Sequence, residues 1–123
     1  MEIFQKYKHV GIEKHKSILQ KMTIPLIVVG PKYVGKKELI KCSLKSTIFC
    51  KVNQIPEYSN GFFYNTICIT DVDNLTHSEQ KVLGCYIDKF QLFVRFIFTS
   101  RTNRIIDSLR SRIFIYKLLP PSN

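Results

Sequence analysis

The sequence predicts a doubly wound α/β fold, in which helices cover both faces of a five-stranded, mostly parallel sheet. Two observations support it. Short apolar segments rich in β-branched residues alternate along the chain with segments of helical periodicity. The first of these strands also leads through a glycine-containing loop into a helix, the order that parallel strands require. With 123 residues, the chain is expected to form one domain, residues 1–123.

The first half of the chain supplies two of the five strands. Apolar residues at helical spacing predict a helix over residues 10–22, and Leu26–Val29 predicts a central strand buried on both faces. A helix over residues 36–44 and a strand over residues 47–52 follow. Residues 55–65 predict a connector, because they contain turn-forming residues and are too few for a full crossover helix.

The second half supplies the other three strands, predicted over residues 66–70, 92–99 and 113–118. Between them, Thr76-His-Ser-Glu79 predicts a capping box that opens a helix. A short helix is predicted over residues 104–110. The buried face of the longer helix is expected to be Val82, Leu83, Tyr86, Ile87 and Phe90.

The loop after the first strand fits the pattern Gly-x-x-x-x-Gly-Lys of a phosphate-binding loop. In such a loop, backbone N–H groups and the lysine hold nucleotide phosphates at the N-terminus of the next helix. The candidate nucleotide-binding residues are Gly30, Pro31, Lys32, Tyr33, Val34, Gly35, Lys36 and Lys37. Lys37 stands where the motif has Ser or Thr, and an ammonium has no lone pair to give to Mg²⁺. The alternative is an ordinary strand-to-helix turn that uses two glycines.

Two carboxylates follow the third predicted strand, Asp71 and Asp73. Because ligands of parallel sheets bind at the carboxyl ends of the strands, the Gly30 loop, Asp71 and Thr99 are expected at one edge. The alternative is that both carboxylates cap the turn that follows the strand.

The composition favours an anionic partner. Nineteen Lys and Arg against nine Asp and Glu give a formal net charge of +10, so DNA or a nucleotide is a plausible ligand. A basic surface that is merely solvated is the alternative. The 45% content of hydrophobic residues fits a globular protein.

Cysteine usage and hydropathy favour an intracellular protein without a membrane anchor. The four cysteines are widely spaced, which predicts reduced, buried thiols, and no cluster of potential metal ligands is present. No apolar run approaches the roughly 20 residues that span a bilayer, and no signal peptide is recognisable. The pattern does not separate a cytoplasmic from a nuclear location.

Four segments resemble, in order, motifs of the clamp-loader group of AAA+ ATPases. Residues 67–76, Ile-Cys-Ile-Thr-Asp-Val-Asp-Asn-Leu-Thr, resemble their Walker B stretch without a gap. Residues 96–103 resemble the sensor-1 strand end, residues 105–112 the helix before the Ser-Arg-Cys motif, and residues 10–13 the Gly-Gln-Glu segment of the first helix. The chain is therefore similar to replication factor C small subunits and to the bacterial delta-prime subunit.

This resemblance implies a three-layer P-loop NTPase core, with ATP or ADP as the cofactor. It also implies other AAA+ or replication proteins as partners, and oligomerisation. The family's core is normally followed by a helical lid and a collar domain, whereas this chain stops at Pro120-Pro121-Ser-Asn123. We therefore expect a minimal core without the helical lid.

Departures from the family pattern fall on the metal-binding positions. In the gapless match, Thr70 replaces the Asp that holds Mg²⁺, and Asp71 replaces the Glu that polarises the attacking water. Together with Lys37, this implies weak or absent Mg²⁺ at Asp71 and weak or absent hydrolysis. A frame shifted by one residue makes Asp71 the metal-side carboxylate and brings Asp73 near the water. Either frame leaves the site incomplete.

The resemblance assigns three further residues. Thr99 and Asn103 are sensor-like, and Arg112 matches the arginine that acts in trans on a neighbour's nucleotide. A surface ion pair is the alternative role for Arg112.

The sequence therefore predicts a degenerate, non-hydrolysing AAA+ module in an assembly linked to DNA replication or repair, with at most weak nucleotide binding. One alternative is an active clamp-loader-type ATPase that uses Lys36 with Asp71. The other is a basic DNA-binding or protein-interaction domain that binds no nucleotide.

Overall fold

The five strands form one sheet in the order β2-β3-β4-β1-β5, and every adjacent pair is parallel. The computed structural model describes residues 12–21, 24–31, 35–44, 46–60, 62–102 and 104–118. In chain order, the elements are α1 (Ile12–Lys21), β1 (Leu26–Val29), α2 (Lys36–Ser43), β2 (Thr47–Phe49), α3 (Ile55–Tyr58), β3 (Thr66–Ile69), α4 (His77–Phe90), β4 (Arg95–Ser100), α5 (Asp107–Arg110) and β5 (Phe114–Lys117), with 3-10 turns over Val52–Gln54 and Val72–Asn74.

The central position predicted for β1 is confirmed. All four of its residues are buried, and the strand pairs with β4 on one side and β5 on the other. In register, Val28 lies beside Thr99, and Cys68 of β3 lies beside Ile97. The carboxyl ends of β3, β4 and β1 therefore lie next to one another.

Helices cover both faces of the sheet, so the predicted three-layer α/β architecture is confirmed. Side chains along a strand alternate between its faces, and consecutive β1 residues accordingly pack into two separate cores. The core under α1 and α2 contains Leu19, Leu26, Val28, Leu39, Ile40, Cys68, Ile97 and Leu118. The core under α3, α4 and α5 includes Ile27, Val29, Ile55, Ile67, Ile69, Leu83, Ile87, Phe96, Phe98 and Leu109.

The predicted capping box begins α4. The Glu79 N–H donates to Thr76 Oγ1 at 3.1 Å, and the Thr76 N–H donates to Glu79 Oε1 at 2.9 Å. Two N–H groups at the start of the helix thereby find acceptors within the same turn. The helix begins shortly after the 3-10 turn over Val72–Asn74, with Leu75 and Thr76 between the two elements.

Several element boundaries differ from the sequence prediction. The second strand ends at Phe49 rather than at residue 52, and the connector contains the single turn of α3. The fourth strand begins at Arg95, which leaves Leu92 and Phe93 exposed in the preceding turn. Both residues were assigned to the strand because an apolar pair before an apolar strand carries no boundary signal.

Two side chains predicted to be buried are exposed. Val82 lies at the edge of the buried face of α4, and Cys85 lies on its outer face. Leu83 and Ile87, two positions of the predicted stripe, are buried as expected. The thiol of Cys68 is buried and that of Cys50 is half-buried, and the Cys42 side chain lies outside the described part.

No helix within the described ranges is long and apolar enough to cross a membrane.

Candidate functional site

The loop after β1 begins at the carboxyl edge of the sheet, beside the central strand β4. The Gly30 N–H donates to the Ser100 carbonyl at 3.0 Å, which ties the start of the loop to the end of β4. Gly35 closes the loop with φ 81° and ψ 28°, a left-handed conformation that favours glycine, and α2 begins at the next residue. Lys32, Tyr33 and Val34 lie outside the described residues.

The side chain of Lys36 folds back onto the start of the loop. Its Nζ donates to the Gly30 carbonyl at 2.7 Å and to the Pro31 carbonyl at 2.9 Å. Burial lowers the pKa of Lys36 from its usual value, whereas the negative charges of Asp71 and Asp73 oppose that shift. The ammonium therefore lies against the start of the loop, where it interacts with the two carboxylates that follow β3 on the far side of β4.

Lys37, the departure from the motif, directs its charge away from the loop. Its Nζ lies 5.1 Å from the centroid of the Phe49 ring on β2, and the Nζ of Lys41 lies 5.5 Å from the same ring. Both distances fit a cation–π contact. The position at which a hydroxyl would coordinate a metal thus offers a cation packed on an aromatic ring.

The acidic side of the site follows β3. Asp71 is exposed and has φ 55° and ψ 49°, a left-handed conformation uncommon for a residue other than glycine. Its N–H donates to Thr99 Oγ1 at 3.1 Å, and Thr99 itself is buried. Thr99 therefore holds the backbone of Asp71 and joins the end of β4 to the end of β3.

Asp73 is the more buried of the two carboxylates. Its side chain is only 7% exposed, and its Oδ2 lies 4.0 Å from Nε of Arg101. Its Oδ1 is buried without a hydrogen-bond partner. Because a buried carboxylate needs a compensating charge, Arg101 is the group that offsets Asp73.

Thr70, which the resemblance places at a metal-binding position, lines a cavity of about 540 Å³. The apolar wall of this cavity is formed mainly by residues that belong to the core under α3, α4 and α5 or pack against it. Around the mouth, Lys51 and Glu79 supply charged groups.

A Mg²⁺ ion requires oxygen ligands in near-octahedral geometry. Lys37 supplies no oxygen, and Asp73 already faces a guanidinium. Within the described residues, no group of three or more His, Cys, Asp or Glu side chains could hold a metal ion. The residues present therefore do not fit the Mg²⁺ that P-loop NTPase folds usually carry.

Arg112 lies before β5 and contacts α4. Its Nε and Nη2 donate to the Asp88 carboxylate at 2.9 to 3.0 Å, and its Nη1 donates to the Ser108 carbonyl. The hydrogen bond from Arg112 lowers the pKa of Asp88, and the same bond raises the pKa of Arg112. This is the surface ion pair that the sequence left open as the alternative, and the role of Arg112 in trans stays a prediction.

The structure thus brings Gly30, Lys36, Asp71 and Thr99 to one edge of the sheet. Asn103 lies outside the described residues, so its sensor-like role stays a prediction. Sequence reasoning missed Arg101 as a member of the site. The signal that could have found it is topological: Arg101 directly follows β4, between the strands that carry the loop and the carboxylates.

This architecture is the α/β fold of P-loop NTPases. The chain resembles a DNA polymerase III gamma subunit-related protein from Thermotoga maritima with a TM-score of 0.66 and 12% identity, over 89% of this chain and 46% of that one. For the P-loop NTPase domain of the sigma-54 transport activator from E. coli, the TM-score is 0.55 at 14% identity, over 94% and 98% of the two chains. For RuvB from Thermotoga maritima, it is 0.53 at 19% identity, over 95% and 44%.

At these identities the likeness establishes the fold and not the activity. The chain spans less than half the length of the gamma subunit-related protein and of RuvB. No protein-family model matches the sequence, and no curated protein matches it.

Proposed function

We propose that this chain is a nucleotide-binding AAA+ module that does not hydrolyse its ligand, and that it serves as a subunit or scaffold in an assembly linked to DNA replication or repair. The observation that carries the proposal is the loop of Gly30 and Gly35 with the Lys36 ammonium inside it. The two loop carbonyls that Lys36 contacts are weaker partners for an ammonium than anionic phosphate oxygens. A phosphate group entering the loop would therefore compete for the lysine.

The proposed lack of hydrolysis follows from the residues around the loop. Phosphoryl transfer needs a metal or an equivalent charge to offset the charge of the transition state, together with a group that orients water. Lys37 lacks the hydroxyl that the usual metal site has at its position, and Thr70 lacks the carboxylate that the site has at its own. Asp71 alone stands at the water-orienting position, and its shorter side chain replaces a glutamate.

An assembly role is supported by charge and by resemblance. The net charge of +10 favours an anionic polymer, and the motif order is similar to that of clamp-loader subunits. In such an assembly, Arg112 would act on a neighbour's nucleotide after leaving Asp88. An exposed ion pair of this kind costs little to break, because solvent screens it.

A second candidate function, an active ATPase, is favoured by one observation. Asp71 and Asp73 both lie close enough to Lys36 to oppose the lowering of its pKa. In the shifted frame, Asp71 is the metal-side carboxylate and Asp73 lies near the attacking water.

A thermal melting series separates these functions. The wild type, Lys36→Ala and the exposed-lysine control Lys81→Ala would each be heated with ATP, ADP or AMP, with and without Mg²⁺. Ligand at 100 times Kd stabilises by about 2.7 kcal/mol, so the wild type and the control should melt several degrees higher with ATP, and Lys36→Ala should not. Nucleotide that never shifts the melting temperature would contradict the proposal and favour the basic domain without nucleotide.

Phosphate release distinguishes the two nucleotide-binding alternatives. We expect the wild type and Lys36→Ala to release inorganic phosphate from ATP at the same background rate. Steady Mg²⁺-dependent release that Lys36→Ala abolishes would show an active ATPase instead.

DNA binding tests the anionic partner. Fluorescence anisotropy of a labelled duplex should show affinity that falls steeply as salt rises from 50 to 200 mM, because neutralised phosphates release counterions. An equally basic surface that is merely solvated would give no saturable binding at either salt concentration.

A further inference from the structure

Arg101 lies at the point where β4 meets the phosphate-binding loop. The residue before it, Ser100, accepts a hydrogen bond from the Gly30 N–H through its carbonyl at 3.0 Å. The carbonyl of the same Gly30 accepts from Lys36 Nζ at 2.7 Å. One loop residue thus connects the backbone next to Arg101 with the ammonium of Lys36.

The two charges act on each other. After burial, which is the main cause, the positive charge of Arg101 also lowers the pKa of Lys36. Two cations held near each other at the mouth of a loop favour a multiply charged anion, because it offsets both at once. A triphosphate is such an anion.

The carboxylate of Asp73 positions Arg101 without using up its hydrogen-bonding capacity. The contact is made through Nε, and an arginine keeps four further N–H donors on its two Nη atoms. The Arg101 side chain is 47% exposed, and no other partner for its guanidinium is found in the described part of the chain. Asp73, in contrast, is almost fully buried and can move little.

Mg²⁺ fits these residues poorly, as the donor set shows. In sites that carry it, the ion neutralises charge on the phosphate oxygens. Here Asp73 Oδ1 is a buried carboxylate oxygen without a hydrogen-bond partner among the described residues, and it shares its carboxylate with a guanidinium. Binding a cation there would place it next to the positive charges of Arg101 and Lys36.

We propose that this site binds the polyphosphate of a nucleotide without a divalent cation, with Arg101 as a second cationic phosphate ligand beside Lys36 and Asp73 as the residue that orients Arg101. The planar guanidinium can donate two parallel hydrogen bonds to phosphate oxygens, and its fixed charge substitutes for that of the ion. The inference rests on the proposed function of the same loop. It adds that the charge of Arg101 takes the place of the metal ion when the loop binds a nucleotide.

Titration calorimetry with ATP, in 5 mM EDTA and in excess Mg²⁺, tests this. We expect the wild-type Kd to agree within about twofold between the two buffers. Arg101→Gln should weaken ATP binding about tenfold or more in EDTA, the cost of losing charge-assisted hydrogen bonds. Arg104→Gln removes the same charge from an exposed position nearby and should leave the Kd within about twofold of the wild type.

The orienting role of Asp73 has its own readout. Asp73→Asn should weaken ATP binding in the wild-type background and have no further effect in the Arg101→Gln background, because its action passes through Arg101. Additive losses in the double variant would overturn that role. Urea unfolding of each variant shows that the native state is populated at the assay temperature.

Two results would overturn the metal-free site. One is ATP binding that Mg²⁺ tightens tenfold or more, and the other is Arg101→Gln that binds as well as Arg104→Gln. Either would leave the proposed nucleotide binding intact. A wild-type chain that binds ATP in neither buffer would overturn the proposed function and this inference together.

Discussion

The N–H of Asp71 donates a hydrogen bond to the buried hydroxyl of Thr99 at 3.1 Å, between residues 28 positions apart in the chain. The bond ties the turn after β3 to the last part of β4. It also holds Asp71 at φ 55°, a conformation that costs energy for a residue with a side chain. The carboxylate of Asp71 is therefore placed at the edge of the loop by a partner in the neighbouring strand.

Thr99→Val should destabilise the protein by about 1 to 2 kcal/mol, because it leaves the Asp71 N–H without an acceptor. Valine has nearly the same shape as threonine, so little packing should be lost. Urea unfolding followed by circular dichroism measures the change. Thr66→Val is the matched control: Thr66 is equally buried on β3, and its hydroxyl makes no hydrogen bond to the described residues. Equal losses in the two variants would mean that the hydroxyl of Thr99 contributes nothing specific.

Gly35→Ala should destabilise the protein by about 1 kcal/mol or more and weaken nucleotide binding, because alanine resists the φ of 81° that ends the loop. Gly84→Ala provides the contrast. Gly84 lies inside α4, and an added Cβ would come 3.5 Å from Arg112 Nη1, an ordinary contact. Alanine there should be neutral or stabilise by up to about 1 kcal/mol.

Thermal melting with and without ATP records both effects of the glycine variants. A Gly35→Ala protein as stable as the wild type would show that the loop relaxes into a right-handed conformation. The phosphate-binding loop would then not depend on the left-handed conformation of Gly35.

Thiol reactivity should follow burial in the order Cys85, then Cys50, then Cys68. Burial, with the charge of Glu57, raises the pKa of Cys50 to about 11, and burial also raises that of Cys68. Since the thiolate is the nucleophile, iodoacetamide at pH 8 should modify the exposed Cys85 first. Peptide mass spectrometry of the native protein over time gives the order, and a protein unfolded in urea serves as the reference.

The pKa of Cys50 also gives the sign of a pH effect on stability. The unfolded thiol ionises near pH 9.0, whereas the folded one stays protonated until about 11. The folded state therefore binds more protons within this window, and Cys50 should make the free energy of unfolding fall as pH rises through it. Cys50→Ala should remove that part of the decline. An unchanged slope in the variant would assign the decline to other groups.

Much of the fold could be predicted because its strands are short apolar segments punctuated by loop residues. Leu26–Val29 was predicted at its observed bounds, and the Thr76 capping box placed the start of α4. The predicted bounds of a strand were wrong where no loop-forming residue separates the strand from the apolar residues before it. Leu92 and Phe93 precede an apolar strand and read as part of it, although both are exposed in a turn.

The candidate site could be predicted only where it is contiguous in sequence. Gly30, Gly35 and Lys36 form one motif, and their loop is visible without a structure. Arg101 has no motif of its own. The place of Arg101 in the candidate site depends on the strand order, which sets it between the loop and Asp73. Strand order arises from long-range pairing that local residue patterns do not encode.

Placing the family's residue types at Lys37 and Thr70, the two positions that the resemblance assigns to metal binding, should make nucleotide binding depend on Mg²⁺. Lys37→Thr supplies a hydroxyl and removes a cation, and Thr70→Asp adds a carboxylate at the end of β3. A unit charge added or removed about 4 Å from a divalent ion changes their interaction by about 8 kcal/mol at an effective dielectric of 20, so Mg²⁺ should tighten ATP binding at least tenfold in the double variant. Titration calorimetry in EDTA and in Mg²⁺ measures it.

The control for this double variant is Lys41→Thr combined with Thr70→Asp. Lys41 shares the Phe49 ring with Lys37, so its loss also removes one cation–π contact, worth about 0.5 to 1 kcal/mol at an exposed site. Lys41 lies a turn further along α2, however, where a hydroxyl cannot serve the loop. Equal Mg²⁺ dependence in the two double variants would show that the new carboxylate acts alone and that Lys37 has no bearing on the metal.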